Sequence, residues 1–276
     1  MLWKRRSFWH SAARQANQPS AASKASVQAQ EDDRDMKILL TGAAGFIGYH
    51  TAHLLLQRGD QVLGLDSLND YYAVTLKQAR LGLLEQFDGF RFVQADIADT
   101  THLAKIAASG GFSAIVHLAA QAGVRHSLEN PQAYVHSNVA GQVAILHLTA
   151  RLRVPLVYAS SSSVYGTNDK VPFAETDRVD RPVSVYAATK RAGELLAGVY
   201  AGTHGVVSTG LRFFTVYGRY GRPDMAPWLF TDAKKKIKHA IDNKFKHMER
   251  HMKSTGNRSF KKISMPNGSK HYVRRA

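Results

Sequence analysis

The stretch ILLTGAAGFIGYH, residues 38–50, decides the fold class. Three apolar residues typical of a buried strand come first, and Gly42, Gly45 and Gly48 follow at the start of a helix-length segment. Glycine permits a tight turn and lets the backbone approach a pyrophosphate, which then lies against the amide groups of a helix N-terminus. The pattern predicts a dinucleotide-binding turn, and an ordinary strand-to-helix turn is the alternative.

Strands and helices alternate on the C-terminal side of this stretch. Apolar runs that look like buried strands occur at 38–40, 62–65, 90–93, 114–116, 156–158 and 206–211, and segments with helical spacing, such as 51–58 and 140–152, lie between most of them. Such alternation implies right-handed crossovers and a parallel sheet that is covered on both faces. We therefore predict a doubly wound α/β domain, a Rossmann fold, over residues 37–233.

The net charge of +16 is concentrated at the C-terminal end of the chain. Residues 234–276 hold fourteen Lys and Arg residues against two acids, with few aliphatic residues and no sustained period. We expect a basic tail that is disordered or partly helical, with 234–252 as a candidate helix. Because the tail has few aromatic residues for stacking on bases, nucleic acid is an unlikely partner.

Residues 1–36 are interpreted as a disordered or targeting extension. They are rich in Ala, Ser, Gln and basic residues and contain no acid before Glu31, a composition typical of organelle transit peptides. Cytoplasmic and organellar locations both stay open. The chain has no cysteine and no long apolar run. We therefore expect no cysteine-ligated or other metal site and no membrane span.

Acidic residues at the ends of two predicted strands point to NAD. Asp66 follows Gly42 by 24 residues, where a carboxylate accepts hydrogen bonds from the adenosine ribose and repels a 2′-phosphate, so NAD is favoured over NADP. Asp96 and Ile97 are expected to end the third strand and flank the adenine, and a helix N-cap is the alternative for Asp96. After the fourth strand, small side chains at Ala119 and Ala120 let the backbone pass close to the dinucleotide, although packing alone also explains them.

A tyrosine and a lysine four residues apart, in SVYAATK (184–190), are candidates for acid–base chemistry. On a helix, Tyr186 and Lys190 share one face. The ammonium, together with the positive nicotinamide ring, is expected to lower the pKa of the phenol, so that a tyrosinate becomes a usable general base. Ser161, 25 residues earlier at the end of a strand, can hold the substrate alcohol. The alternatives are a surface pair and a capping or linker serine.

The order and spacing of these motifs resemble those of the extended short-chain dehydrogenase/reductases, in the NAD-dependent epimerase/dehydratase branch, over residues 37 to about 232. The motifs are TGAAGFIG, Asp66, ADI, HLAA, SSSSVYG and YAATK. The resemblance implies a catalytic triad of Ser161, Tyr186 and Lys190, a structural role for Asn138, and a homodimer formed through the helix that bears Tyr186. The predicted cofactor site comprises Gly42, Gly45, Phe46, Ile47, Gly48, Asp66, Asp96, Ile97, Leu118, Ala119 and Ala120, with Tyr186 and Lys190.

The stretch GLRFFTVYGRYGRPDMA, residues 210–226, is similar to the one found in UDP-glucuronate 4-epimerases. The similarity implies C4 epimerisation of a nucleotide sugar through a 4-keto intermediate. It assigns Thr215 and Arg222 to the uronate carboxylate, with Ser162 and Ser163 assisting from the serine loop, and a surface arginine is the alternative for Arg222. Arg125 is expected to face the nucleotide or the substrate.

Other reactions of this family stay open as alternatives. Dehydratases and decarboxylases usually carry an acidic residue in the serine motif, and SSSSVYG has none. Family members also continue well past the RPDM motif, so the substrate-binding part is expected to be largely missing here or replaced by the basic tail. The alternatives are therefore another nucleotide-sugar epimerase, decarboxylase or dehydratase, or an inactive NAD-binding remnant that lacks the substrate lid.

Overall fold

The computed structural model describes residues 36–254, 260–264 and 270–274. The N-terminal segment that the sequence marks as an extension lies almost entirely outside the described residues. No helix in the described ranges is long and apolar enough to cross a membrane.

A six-stranded parallel sheet organises the domain. Its strands are β1 (Lys37–Thr41), β2 (Gln61–Asp66), β3 (Phe90–Gln94), β4 (Ala114–His117), β5 (Leu156–Ser161) and β6 (Ser208–Phe213). They lie in the order β3-β2-β1-β4-β5-β6, and every neighbouring pair is parallel. This order confirms the predicted doubly wound fold.

Helices connect the strands and cover both faces of the sheet. They are α1 (Phe46–Gln57), α2 (Val74–Leu84), α3 (Thr100–Ala108), α4 (His126–Glu129), α5 (Pro131–Tyr134), α6 (Gly141–Leu152) and α7 (Val185–His204). A π-helical segment, Val135–Ala140, joins α5 to α6, and a 3-10 helix, Ser162–Tyr165, follows β5.

The apolar run of β1 contributes to two hydrophobic clusters. Leu39 packs in a cluster with Ile115 and the α6 residue Ile145, whereas Leu40 packs in a separate cluster with the α1 residue Ala52. Successive side chains of a strand point to opposite faces of the sheet, so a strand that is covered on both sides needs apolar residues throughout. This explains why the strand reads as a continuous rather than an alternating apolar segment.

The direction of the crossovers reverses between β1 and its two neighbours. From β1 the chain proceeds to β2 and β3 on one side, and it then returns to β4, β5 and β6 on the other side. Such a reversal opens a crevice at the carboxyl ends of the strands, where ligands bind in open α/β sheets. The glycine turn, Asp66, the ADI, HLAA and SSSSVYG motifs and the stretch 210–226 all come at or just after the carboxyl ends of strands, whereas YAATK lies in the first turns of α7.

The C-terminal segment contains more regular structure than its composition suggests. Helix α8 (Ala226–Ser254) includes the candidate helix 234–252, and β7 (Phe260–Ser264) pairs antiparallel with β8 (Lys270–Arg274) in a separate two-stranded sheet. The β7–β8 pair was not predicted, because each strand has only two apolar or aromatic β-formers among its basic residues.

Candidate active site

The glycine turn between β1 and α1 is closely packed by backbone. Gly42 has a φ of +76°, and a Cβ there would lie 2.6 Å from the backbone nitrogen of Ala119. A Cβ at Gly48 would lie 1.9 Å from the carbonyl oxygen of Gly42. Any side chain would therefore push the turn apart. The N-terminus of α1, preceded by Gly45, is left open to the crevice, as a phosphate-binding turn requires.

Asp66 ends β2, as the sequence predicts, next to the glycine turn. Its carboxylate accepts hydrogen bonds from the backbone N–H groups of Ala44, at 3.2 Å, and Leu68, at 2.9 Å. These two bonds orient the carboxylate within the crevice, where its free lone pairs can accept further hydrogen bonds from hydroxyl groups.

Asp96 and Ile97 lie beyond β3, not at its end, because the strand stops at Gln94. The N-cap of α3 is Asp99, which accepts a hydrogen bond from the N–H of His102, so the N-cap alternative for Asp96 is wrong. Asp96 instead accepts from the N–H of Ala98 at 2.8 Å and contacts His136 at 2.9 Å. Burial raises the pKa of the Asp96 carboxyl, but these hydrogen bonds outweigh it and lower the pKa.

Tyr186 and Lys190 lie in the first two turns of α7, whose N-cap is Ser184. The Lys190 ammonium is buried and donates a hydrogen bond to the backbone carbonyl oxygen of Ala159 at 2.8 Å. Burial without a paired carboxylate lowers the pKa of Lys190 to about 8.

The surroundings of Tyr186 shift its pKa in both directions. Burial raises it, the nearby Ser161 hydroxyl and the positive charge of Arg222 lower it, and the net direction is upward. Lys190 is not among the protein groups that lower it. The lowering expected from the ammonium together with the nicotinamide ring stays a prediction.

The serine loop brings further hydroxyl groups to the same place. β5 ends at Ser161, whose hydroxyl accepts a hydrogen bond from the N–H of Ser163 at 3.2 Å. This bond caps the short 3-10 helix Ser162–Tyr165 and holds the loop against the end of the strand. The serine run is therefore a strand end that faces the crevice, not a linker.

One cavity of about 370 Å³ collects nearly all of the predicted site residues. Its lining includes Gly42, Gly45, Phe46, Ile47, Gly48, Asp66, Asp96, Ile97, Leu118, Ala119, Ala120, Ser161, Ser162, Ser163, Tyr186, Lys190, Thr215 and Arg222. Arg125 is the exception: it is exposed at the start of α4 and does not line this cavity.

Arg222 forms a fork that already holds a carboxylate of this chain. Its Nε lies 3.0 Å from Oδ1 of Asp224 and its Nη2 lies 2.6 Å from Oδ2, while the Tyr71 hydroxyl donates to the same Oδ2 at 3.1 Å. The Arg222 side chain is only 21% exposed, which argues against the surface-arginine alternative. Sequence reasoning missed Tyr71 and Asp224, although the RPDM motif places Asp224 beside Arg222.

Two buried polar residues support the crevice from behind. Asn138, in the π-helical segment, accepts from the N–H of Gln121 at 2.8 Å and donates to the Gln121 carbonyl at 3.0 Å and to Thr189 at 3.1 Å, so its contacts are structural. The Nδ1 atom of His117 lies 2.7 Å from the Thr41 hydroxyl. His117 precedes the LAA sequence and was not identified from the sequence.

Comparisons with known proteins agree on one family. The sequence profile of the NAD dependent epimerase/dehydratase family matches residues 38–252. UDP-glucuronate 4-epimerase 3 from Arabidopsis thaliana is 54% identical over 200 residues, which are 72% of this chain and 46% of that protein. A probable UDP-glucuronate 4-epimerase from Rhizobium meliloti (strain 1021) is 49% identical over 199 residues, 72% of this chain and 58% of that protein.

Solved structures give the same result. The crystal structure of UDP-glucuronic acid 4-epimerase from Bacillus cereus in complex with UDP-glucuronic acid and NAD has a TM-score of 0.66 and 37% identity, covering 70% of this chain and 61% of that chain. DesIV, a dTDP-glucose 4,6-dehydratase from Streptomyces venezuelae crystallised with NAD, has a TM-score of 0.66 and 32% identity. The match covers 75% of this chain and 63% of that chain. This chain spans about half the length of the curated relatives it matches.

Proposed function

The chain belongs to the NAD dependent epimerase/dehydratase family, and we propose that it is a nucleotide-sugar 4-epimerase that interconverts UDP-glucuronate and UDP-galacturonate with NAD as cofactor. One observation carries the proposal: a single cavity brings together the glycine turn, the Ser161–Tyr186 pair and Arg222. The similarity to UDP-glucuronate 4-epimerases supports the choice of sugar.

The residues of the crevice fit a dinucleotide. The glycine turn leaves the N-terminus of α1 open for a pyrophosphate, and the Asp66 carboxylate can accept hydrogen bonds from a ribose. The same carboxylate would repel the 2′-phosphate of NADP. When bound, NAD supplies a hydride acceptor for C4 of the sugar and later a hydride donor to the opposite face of the ketone.

Tyr186 moves the proton in the proposed reaction. Its phenol oxygen takes the proton from the C4 hydroxyl as the alcohol is oxidised, and it returns the proton when the ketone is reduced. Because burial raises the pKa of Tyr186, the reaction depends on groups that favour the phenolate, and Ser161 and Arg222 have this effect. The Ser161 hydroxyl can also hold the C4 oxygen and orient it towards the tyrosine.

Arg222 and Thr215 would select a sugar with a carboxylate. A guanidinium fork binds a carboxylate by two parallel hydrogen bonds, and the contact with Asp224 has this form. We propose that the uronate carboxylate replaces Asp224 at the fork, with Thr215 donating a further bond. The serine loop has no acidic side chain that could serve elimination of water, so epimerisation is favoured over dehydration.

A second candidate is an NAD-binding protein without useful turnover. The chain matches less than half of the Arabidopsis relative, and the Arg222 fork is filled by Asp224. If residues beyond those matched close the substrate site in the relatives, this chain would bind NAD and hold the sugar nucleotide poorly.

The test is a direct assay of the full chain. Purified protein is incubated with NAD and UDP-glucuronate, and formation of UDP-galacturonate is followed by NMR of the anomeric protons, with UDP-glucose as the matched substrate that lacks the carboxylate. Tyr186→Phe is expected to lower the rate by about 10² to 10⁴-fold while leaving NAD bound. Bound NAD with no product would refute the epimerase proposal and support the second candidate.

A further inference from the structure

Glu194 stands at the centre of a buried ionic network behind the crevice. Its side chain is 9% exposed and accepts four hydrogen bonds. Ser160 donates to Oε1 at 2.6 Å, Arg212 donates through Nε to Oε1 at 2.9 Å and through Nη2 to Oε2 at 3.1 Å, and Arg191 donates to Oε2 at 3.0 Å. The carboxylate therefore joins α7 to β5 and β6.

The position of Glu194 on α7 relates it directly to the reacting groups. Tyr186, Lys190 and Glu194 are spaced four residues apart, which places them on one face of the helix. Tyr186 lies near the Ser161 hydroxyl, and Lys190 donates a hydrogen bond to the backbone carbonyl of Ala159. Glu194 accepts a hydrogen bond from the Ser160 hydroxyl. Three successive turns of the helix thus contact the last three residues of β5, 159–161.

Arg212 extends the network to the serine loop. It is paired with Ser160 in the register of β5 and β6, and its guanidinium lies 4.9 Å from the centre of the Tyr165 ring. Tyr165 is the last residue of the 3-10 helix Ser162–Tyr165. Arg212 also donates a hydrogen bond to the Glu175 carbonyl at 3.2 Å. The Arg212 guanidinium on β6 therefore contacts both the serine loop and the segment that follows this loop.

The charges of the network favour its ionised form. Burial raises the pKa of the Glu194 carboxyl, but hydrogen bonds from Arg212 and Ser160 outweigh it and lower the pKa below the usual range. The hydrogen bond to Glu194 raises the pKa of Arg212. A buried ion pair of this kind holds its partners in one arrangement, because a buried charge without its counter-ion is costly.

We propose that Glu194 is a positioning residue for the C4 oxidation: through Ser160 it fixes the end of β5, and so sets the contact between the Ser161 hydroxyl and the Tyr186 phenol. This inference rests on the proposed function. Glu194 itself does not line the cavity, whereas Ser160, Ser161 and Tyr186 do, so it acts through other residues and touches no substrate.

The Tyr186 phenol can report on this contact. The groups that face it are Ser161 on β5, Arg222 in the turn after β6, and the ring of Tyr134 on α5, at 6.2 Å between ring centres. Of these three groups, only Ser161 is linked to Glu194, through the neighbouring residue Ser160. Displacement of the Ser161 hydroxyl removes a group that lowers the Tyr186 pKa, and the tyrosine then titrates at higher pH.

The kinetic test compares Glu194→Gln and Ser160→Ala with wild type. Rates are expressed per NAD-occupied site, so that misfolded protein does not count. We expect kcat to fall by about 10 to 100-fold with KM for UDP-glucuronate changed by less than about threefold, and the pH of half-maximal kcat to rise. Arg191→Gln is the control, because Arg191 is 30% exposed and two other donors remain on Glu194. Wild-type kcat per site in Ser160→Ala, or an unshifted pH profile, would overturn the proposal.

A second measurement does not need turnover. The titration of Tyr186 is followed by NMR of the full chain with tyrosine labelled at Cζ, and Tyr186→Phe identifies the signal. A higher pKa in Ser160→Ala than in wild type supports the positioning role, and an unchanged pKa contradicts it. Ser160→Ala keeps the Glu194–Arg212 pair, so it decides the question if Glu194→Gln fails to fold. If wild type makes no UDP-galacturonate, the proposed function fails, but this titration still tests the role of Glu194.

Discussion

The ammonium of Lys190 lies 2.8 Å from the backbone carbonyl oxygen of Ala159, which fastens the lysine of α7 to the strand that carries the serines. The side chain is buried, and its pKa falls to about 8. A group that is expensive to bury as a cation is thus held at the floor of the crevice.

This burial has a measurable effect on stability. The unfolded chain keeps the lysine proton up to about 10.5 and the folded chain releases it near 8, so the free energy of unfolding rises with pH across this window. We expect Lys190→Met to increase the free energy of unfolding at pH 7 by roughly 1 to 3 kcal/mol and to flatten its rise between pH 8 and 10.5. Urea unfolding at several pH values measures this. Lys105→Met, at an exposed site, is the control, and a less stable Lys190→Met at pH 7 would contradict the expectation.

The buried His117 is expected to affect the stability of the protein at acidic pH. Burial, and then the charge of Lys190, lower the pKa of the imidazole to about 3. The unfolded chain binds this proton below about 6.5, so stability is present at neutral pH and is lost as the pH falls from 6.5 towards 3. His117→Gln should reduce the loss of unfolding free energy between pH 7 and 4.5 by roughly 2 kcal/mol. The exposed His204→Gln variant should match wild type, and an equally acid-sensitive His117→Gln would rule out this histidine as the cause.

Asp66 is expected to set the choice of dinucleotide. Asp66→Asn keeps the shape of the side chain but removes the charge, so NAD should bind about 10-fold more weakly and NADP should be rejected less strongly. Isothermal titration with both dinucleotides measures the two affinities, and Asp88→Asn on the exposed surface is the control. Unchanged selectivity in Asp66→Asn would remove this residue from the ribose site.

Gly48 tests the packing of the glycine turn. Its φ is compatible with any residue, but a Cβ would lie 1.9 Å from the Gly42 carbonyl oxygen, so Gly48→Ala forces the turn open. We expect the unfolding free energy to fall by about 2 to 4 kcal/mol. We also expect weaker binding of NAD. Gly82→Ala is a matched control in α2, where a Cβ meets no atom within 4 Å, and it should stabilise the protein by up to about 1 kcal/mol. Equal melting temperatures for the two variants would contradict the steric argument.

Local signals account for what the sequence predicted correctly. Apolar runs locate the strands because both faces of the sheet are covered, and the glycines locate the turn because a Cβ at Gly42 or Gly48 would collide with neighbouring backbone atoms. These features depend on residues close together in the chain, and they indicate the crevice without further information.

Contacts between distant residues account for what the sequence did not reveal. Tyr71 meets Asp224 across 153 positions, and Arg212 meets Glu194 across 18. Each of these residues looks like an ordinary surface residue until the sheet brings the pair together. The hydrogen bond of Lys190 escaped the sequence for a related reason, because its partner is the backbone carbonyl of Ala159, which no side-chain pattern displays.

The sheet ends at β6, and in the part of the chain that the structure describes no strand pairs with its outer side. The backbone amide and carbonyl groups on the outer side of β6 therefore have no partner strand among the described residues. Exposed apolar side chains lie around them, because Val207 is 72% exposed, Leu211 38% and Phe214 59%. Open edges of this kind recruit strands from other molecules. Yield of dispersed protein is therefore expected to fall as concentration rises, and Leu211→Lys, which places a charge on the edge, should delay aggregation in light-scattering measurements.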